Sequence, residues 1–141
     1  MNTRLIILMV LIAIPCAGQS RLETRLRALA EIETGTKDLA IGRAGEVSRY
    51  QISPGVWIQY SHLPQTAAVN PFTARNVVIK IMADRTHGQI VTDSQWYLLF
   101  HRPARVNCPK PDERDRAERF SALCRRWREQ PAIKPAKPGL N

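Results

Sequence analysis

Glu33 is the side chain whose place in the sequence pattern best suits acid–base chemistry. The apolar residues Leu22, Leu26 and Leu29 recur at helical spacing, and the next position on the same stripe is Glu33. Glu31, two residues earlier, falls on nearly the opposite side and can remain in water. A carboxyl group that projects toward a core is either a structural group with a buried hydrogen bond or a general acid. Periodicity alone favours the structural role, and a catalytic role requires a cleft with a second wall.

The helix that carries Glu33 is predicted to span residues 21–34, with Gly35 as a left-handed cap. Partial burial disfavours the charged form of Glu33, and so does the negative end of the helix dipole. We therefore predict that the pKa of Glu33 is raised.

The second wall is predicted to come from residues 37–54. Residues 37–49 contain two glycines and mixed charges, which indicates a loop across the mouth of a cleft. After the short segment 50–52, Ser53 as cap and Pro54 at the first helical position predict a second helix. Its inward residues are expected to be Val56, Trp57 and Tyr60.

These two stretches together resemble paired motifs of the lytic transglycosylases related to goose-type lysozyme. Glu33-Thr34-Gly35 is similar to the family's Glu-Ser-Gly at a helix end. Tyr50-Gln51-Ile52-Ser53-Pro54 is similar to its Gly-Leu-Met-Gln-hydrophobic-Met-Pro, with Ser48, Arg49 and Tyr50 in place of Gly-Leu-Met. The resemblance implies a lysozyme-like helical domain in which Glu33 is the single catalytic acid and base. It also implies that Gln51 lines a sugar cleft.

The family's third motif, Ala-Tyr-Asn-Ala-Gly, falls near a short apolar helix at residues 95–101, for which Asp93 is the predicted cap. Phe100 stands at the tyrosine and lacks the hydroxyl that helps to hold the catalytic acid. His101 could supply a polar contact instead, or Tyr97 could reach in from one turn away; His101 could also be an ordinary helix-end residue. The predicted substrate-binding residues are Tyr50, Gln51, Ser53, Tyr97, Phe100 and His101.

Two further helices complete a mainly α domain of about five helices with little or no sheet, in which the first, second and fourth helices border the cleft. Asn70 and Pro71 open a core helix that Gly88 ends. Its apolar positions are Phe72, Val77, Val78, Ile81 and Met82. The last helix runs from about Pro111 to Glu129, with an apolar stripe and a face of arginines that we interpret as solvated. That stripe consists of Ala117, Phe120, Leu123, Cys124 and Trp127.

The ends of the 141-residue chain differ in composition from its middle, which is long enough for one domain. Residues 1–18 have a basic start, ten apolar residues and small residues at the end, which predicts a signal peptide and export to the periplasm or beyond. The apolar run is too short for a permanent transmembrane span. Cys16 could be lipidated, although Pro15 before it does not suit that signal. The domain is predicted to cover residues 19–130, and residues 131–141 read as a disordered tail.

The cysteines, the histidines and the other carboxylates bear on which chemistry the chain can perform. Cys108 and Cys124 could pair after export, but helix geometry favours a buried Cys124 and an exposed, unpaired Cys108. No His or Cys pair has ligand spacing, so we predict neither a metal nor a cofactor. Asp38, Glu46 and Asp84 are candidates for a second carboxylate, but none stands out. A transglycosylase does not require one, because a hydroxyl of the sugar replaces water as the nucleophile.

Three functions stay open. The first is an exported lytic transglycosylase or muramidase that cleaves the MurNAc-GlcNAc β-1,4 bond of peptidoglycan. The second is a catalytically inactive lysozyme-like module that binds cell wall, and the third is a helical protein that adheres to anionic lipid. The net charge of +9 suits a polyanionic partner, or simply keeps a small protein soluble. Because an exported protein seldom meets nucleic acid, we expect peptidoglycan as the partner. We also expect the protein to be a monomer.

Overall fold

A computed structural model describes residues 17–130, with side chains from residue 21 onward. It contains five helices: α1 (Ala17–Thr34), α2 (Pro54–Tyr60), α3 (Pro71–Thr86), α4 (Asp93–His101) and α5 (Pro111–Glu129). Short 3-10 turns occupy Gln65–Val69 and Pro103–Arg105. Between residues 17 and 130 there is no strand, so the predicted mainly α class is confirmed. The predicted tail, and the predicted leader except its last two residues, lie outside the described residues.

The core forms where α5 packs on α1 and α4, and where α3 packs on α4. Leu26 and Leu29 of α1 are buried as their spacing predicts, and Leu22 packs against them from a half-exposed position. Trp57 of α2 and Phe120 of α5 are fully enclosed. Burial of side chains of this size supplies most of the favourable free energy of folding.

Helix boundaries follow the capping residues, with one correction. Asn70 caps α3 by accepting hydrogen bonds from the next two free backbone N–H groups. The prediction that Asp93 caps α4 was wrong: Thr92 is the cap and forms a capping box with Gln95. Asp93 is instead the first residue of the helix and is buried.

Asp93 is the centre of an ion cluster that joins three helices. Its Oδ1 accepts a hydrogen bond from Arg25 Nε of α1 at 2.8 Å, and its Oδ2 accepts one from Arg128 of α5 at 2.8 Å. Arg21 lies 3.6 Å away, and both α1 arginines also donate to the carbonyl of Val91. This cluster fixes α1 against the N-terminus of α4 and the C-terminal part of α5.

Two side-chain predictions can be compared with the structure. Cys108 is exposed and Cys124 is buried, and both thiols are free, as helix geometry favoured. Phe72 was predicted to be a core position of α3, but it is 68% exposed because it lies in the first turn, outside the packed stripe. The other four predicted α3 positions are buried. Within the described range, no helix combines the length and the apolar character needed to cross a membrane.

Candidate active site

Glu33 lies in the last turn of α1, where the chain leaves the helix through a left-handed turn. Gly35 has a φ of 62°, as its predicted capping role requires, and its N–H bonds to the carbonyl of Glu31 at 3.0 Å. Thr34 ties this helix end to the following loop: its hydroxyl donates to the carbonyl of Arg49 at 3.2 Å and accepts from the N–H of Lys37 at 3.1 Å. The end of α1 and the loop therefore hold one fixed arrangement.

The loop of residues 37–53 folds back on itself through two isolated β-bridges, Ile41 to Val47 and Val47 to Ile52. Asp38 pairs with Arg49 through two hydrogen bonds, the second at 2.8 Å. The loop therefore forms an ordered wall. Its backbone bridges are isolated, so the alternation of apolar and polar residues that marks a strand does not reveal them.

A groove of about 520 Å³ opens between this loop and the helices. Of the seven predicted site residues, six line it: Glu33, Gln51, Ser53, Tyr97, Phe100 and His101. The seventh, Tyr50, does not. It is 4% exposed and packs in the core, because the positive φ values of Ser48 and Gln51 turn the chain so that Tyr50 points inward. Its assignment to the substrate wall is therefore corrected.

Glu33 is the buried acid of the groove, with a side chain that is 8% exposed. Its Oε1 accepts a hydrogen bond from the hydroxyl of Tyr97 at 3.1 Å. The Nε2 atom of His101 lies 3.1 Å from the same oxygen. The imidazole N–H is not aimed at the oxygen closely enough for a hydrogen bond, so this contact is an ion pair when the ring is protonated. The sequence suggested that either His101 or Tyr97 could replace the tyrosine hydroxyl that Phe100 lacks, and both residues contact Glu33.

The prediction of a raised pKa for Glu33 was wrong in sign. Burial is the largest effect and does raise the pKa of Glu33. The neighbouring imidazole of His101, the hydroxyl of Tyr97 and the positive charge of Arg116 outweigh it, and the pKa of the carboxyl lies below its ordinary value. In the uncovered groove Glu33 is therefore a carboxylate at neutral pH, ready to accept a proton.

Gln51 and Ser53 stand on the loop side of the groove. The Gln51 amide nitrogen donates to the carbonyls of Ala40 at 3.3 Å and Ser48 at 3.0 Å, so this side chain also braces the loop. A methyl group at Gly42 would lie 2.2 Å from Glu46 Oε2 and 2.6 Å from Gln51 Oε1. A glycine at this position lets both side chains pack over the loop backbone.

Ser53 precedes α2 in the capping position but makes no side-chain cap bond. Ser53 is nevertheless one of the residues that line the groove.

Several residues of the groove were not predicted as site residues, Arg85 and Arg116 among them. Arg85 of α3 donates to the carbonyl of Leu99 at 2.9 Å and to that of Phe100, and so closes the C-terminal end of α4. Arg116 extends from α5, whose arginine face was interpreted as solvated. Glu46 is the one of the three candidate second carboxylates that lines the groove. Helical spacing placed Arg116 off the apolar stripe but could not show that this side borders a cavity.

A second cavity of about 560 Å³ adjoins the groove and shares His101 and Arg102 with it. Arg105 and Lys110 add positive charge there, while Glu113 accepts a hydrogen bond from Arg105 at 3.2 Å. The concave surface therefore continues past His101 and becomes more basic.

Across residues 21–130, no group of three or more His, Cys, Asp or Glu side chains is placed to hold a metal ion. Comparison of the chain with models of protein families, with curated proteins and with solved structures gives no significant match. The resemblance to lytic transglycosylases therefore depends on the quoted motifs and stays a prediction.

Proposed function

We propose that the protein is an exported enzyme that cleaves the glycan strands of peptidoglycan, as a lytic transglycosylase or muramidase, with Glu33 as its catalytic acid and base. The observation that supports it best is the placement of Glu33: a carboxylate 8% exposed in the wall of an open groove, held by Tyr97 and faced by Gln51 and Ser53. Export is proposed from residues 1–18 of the sequence.

The proposed reaction needs one carboxyl group in two states. Protonated Glu33 gives its proton to the glycosidic oxygen as the bond to the anomeric carbon breaks. The resulting carboxylate then removes the proton from the muramyl hydroxyl that closes the anhydro ring. Tyr97, which donates to the carboxylate, holds its orientation through both steps. If water replaces the hydroxyl, the same groove offers Glu46 as a second carboxylate for hydrolysis.

Release of soluble fragments from purified, dye-labelled cell-wall sacculi tests the proposal. Glu33→Gln keeps the size of the side chain and removes its acid–base function, so we expect release to fall to background. Glu31→Gln is the matched control, because Glu31 is on the same helix but contacts Arg126 and Trp127 of α5, outside the groove. Equal release by the wild type and Glu33→Gln would exclude Glu33 from the reaction.

A second candidate is a module that binds peptidoglycan without cleaving it. It is favoured by the lowered pKa of Glu33, because an ionised carboxyl paired with a histidine is not a general acid in the uncovered groove. Sedimentation of the protein with sacculi, without fragment release and unchanged by Glu33→Gln, would support this candidate over the enzyme.

A further inference from the structure

We propose that His101 is the proton source that converts Glu33 into an acid when a glycan covers the groove. This inference rests on the proposed function, since it concerns how the same site acquires the proton that bond cleavage consumes. His101 is in this view a positioning and proton-supplying residue, and Glu33 remains the group that acts on the sugar.

The geometry places the two groups as a pair. His101 Nε2 lies 3.1 Å from Glu33 Oε1, and both residues line the groove. That nitrogen is buried and has no hydrogen-bond partner among the described residues. Catalytic hydrogen bonds that are poorly aligned in an unliganded site commonly tighten when substrate binds. A small rotation of the ring would direct its N–H at the carboxylate.

Covering the groove changes which state of the pair is favoured. A pair made of an imidazolium and a carboxylate is most favourable where water solvates both charges. A sugar that excludes this water penalises both charges, while the neutral imidazole and the neutral carboxylic acid lose little. Burial is already the largest effect on the pKa of Glu33 and raises it, and further burial by the sugar would raise it more.

The other charged and titratable groups that line this part of the groove leave His101 as the donor. They come from the loop of residues 37–53, three helices and the turn after α4: Arg43, Glu46, Arg85, Tyr97, Arg102, Asp112, Glu113 and Arg116. Glu46 accepts a hydrogen bond from the N–H of Ala44. The arginines hold their protons at all working pH values. Glu113 is engaged by Arg105 and by the N–H of Lys110. Tyr97 cannot supply the proton, because burial and the nearby carboxylate of Glu33 raise its pKa well above the ordinary phenol value.

The step is one proton transfer. The Nε2–H bond of the His101 imidazolium breaks, an O–H bond forms on Glu33 Oε1, and both groups become neutral. Glu33 then delivers this proton to the glycosidic oxygen. After the carboxylate has taken the hydroxyl proton of the sugar, the proton can return to His101 as product leaves, so the pair ends each cycle with the one proton it began with.

Nuclear magnetic resonance of the full-length chain tests the transfer, with chitin tetrasaccharide as a neutral β-1,4-linked probe. On saturation, we expect the ¹⁵N shifts of His101 to move to neutral-imidazole values and the Glu33 carboxyl ¹³C shift to move to protonated values. His62 is exposed and lines neither cavity, so its shifts serve as the internal control.

Two results would overturn the inference, and they differ. If groove amides shift while His101 and Glu33 keep their charges, sugar binding stands and the proton transfer is wrong. If the tetrasaccharide leaves every groove signal unmoved, the proposed function fails and the inference fails with it.

A pH profile of fragment release gives an independent readout. The rate of release by the wild type should be constant over a range of pH, because Glu33 and His101 together hold a single proton across that range. In His101→Gln the proton must come from solvent, so the rate should fall about tenfold for each pH unit across that range. His62→Gln should match wild type. A His101→Gln profile that is lower but keeps the wild-type shape would assign His101 a purely structural role.

Discussion

Replacing Asp93 with asparagine removes the charge at the centre of the ion cluster that joins α1, α4 and α5. The side chain is 5% exposed and takes 2.8 Å hydrogen bonds from Arg25 and Arg128. Asparagine keeps the shape but leaves Arg25, whose side chain is 10% exposed, without its counter-ion. Because this cluster sets α1 against α4, it also sets Glu33 against Tyr97.

The expected cost follows from the burial of the partners. Leaving one member of a buried ion pair uncompensated costs about 3 to 5 kcal/mol. The guanidinium of Arg128 is on a side chain that is 40% exposed and can be solvated, so the lower end of about 3 kcal/mol applies. For a domain of this size that corresponds to a fall in Tm of roughly 12 °C.

Urea unfolding followed by circular dichroism measures the change in the free energy of unfolding. Glu23→Gln is the control, since its ion pair with Arg75 joins side chains that are 44% and 29% exposed and should contribute less than about 1 kcal/mol. A loss below about 1 kcal/mol for Asp93→Asn, equal to that of the control, would refute the conclusion that the cluster fixes α1 against α4 and α5.

Three further predictions follow from single groups. Burial raises the pKa of Asp93, but hydrogen bonds from Arg128 and Arg25 outweigh this effect, so the pKa is lowered in the folded state. The difference in stability between the wild type and Asp93→Asn should therefore be fully present above the ordinary carboxyl pKa of about 3.9. It should vanish as the pH falls through the pKa that Asp93 has in the folded state. A thiol reagent should label Cys108 at once but Cys124 only on unfolding, because burial raises the pKa of Cys124 to about 12; fast double labelling of the native protein would contradict this. Gly42→Ala should displace the two side chains packed over it and lower fragment release about tenfold with the fold intact, whereas Gly55→Ala, which meets no neighbouring atom, should not.

The helices could be predicted from the sequence because their signals are local. The bounds of α5 and the start of α2 match the expected residues, since proline at the first position marks the boundary directly. The cap of α4 was misplaced although its signal is local too. Thr92 and Asp93 stand next to each other and both suit a cap, but the reciprocal bonds between Thr92 and Gln95 select Thr92, and Asp93 binds arginines of α1 and α5 instead.

The candidate site was only partly predictable, because its contacts join distant parts of the chain. Glu33 and Tyr97 are 64 positions apart, and the direction of the Glu33 pKa shift depends on groups brought by α4 and α5. Burial and the helix dipole could be read from the first helix alone, and they gave the wrong sign. Tyr50 was wrongly assigned to the groove because Ser48 and Gln51, on either side of it, have positive φ values. These reverse the side-chain direction that Tyr50 would have in an extended segment.

Mass spectrometry of the fragments released from purified sacculi tests whether Glu33 cleaves the glycan strand. We expect the wild type and Glu31→Gln to release muropeptides, with anhydromuramyl ends for transglycosylation or reducing ends for hydrolysis, and Glu33→Gln to release neither. Release of the same fragments at the same rate by Glu33→Gln, or no release by the folded wild type, would contradict this expectation.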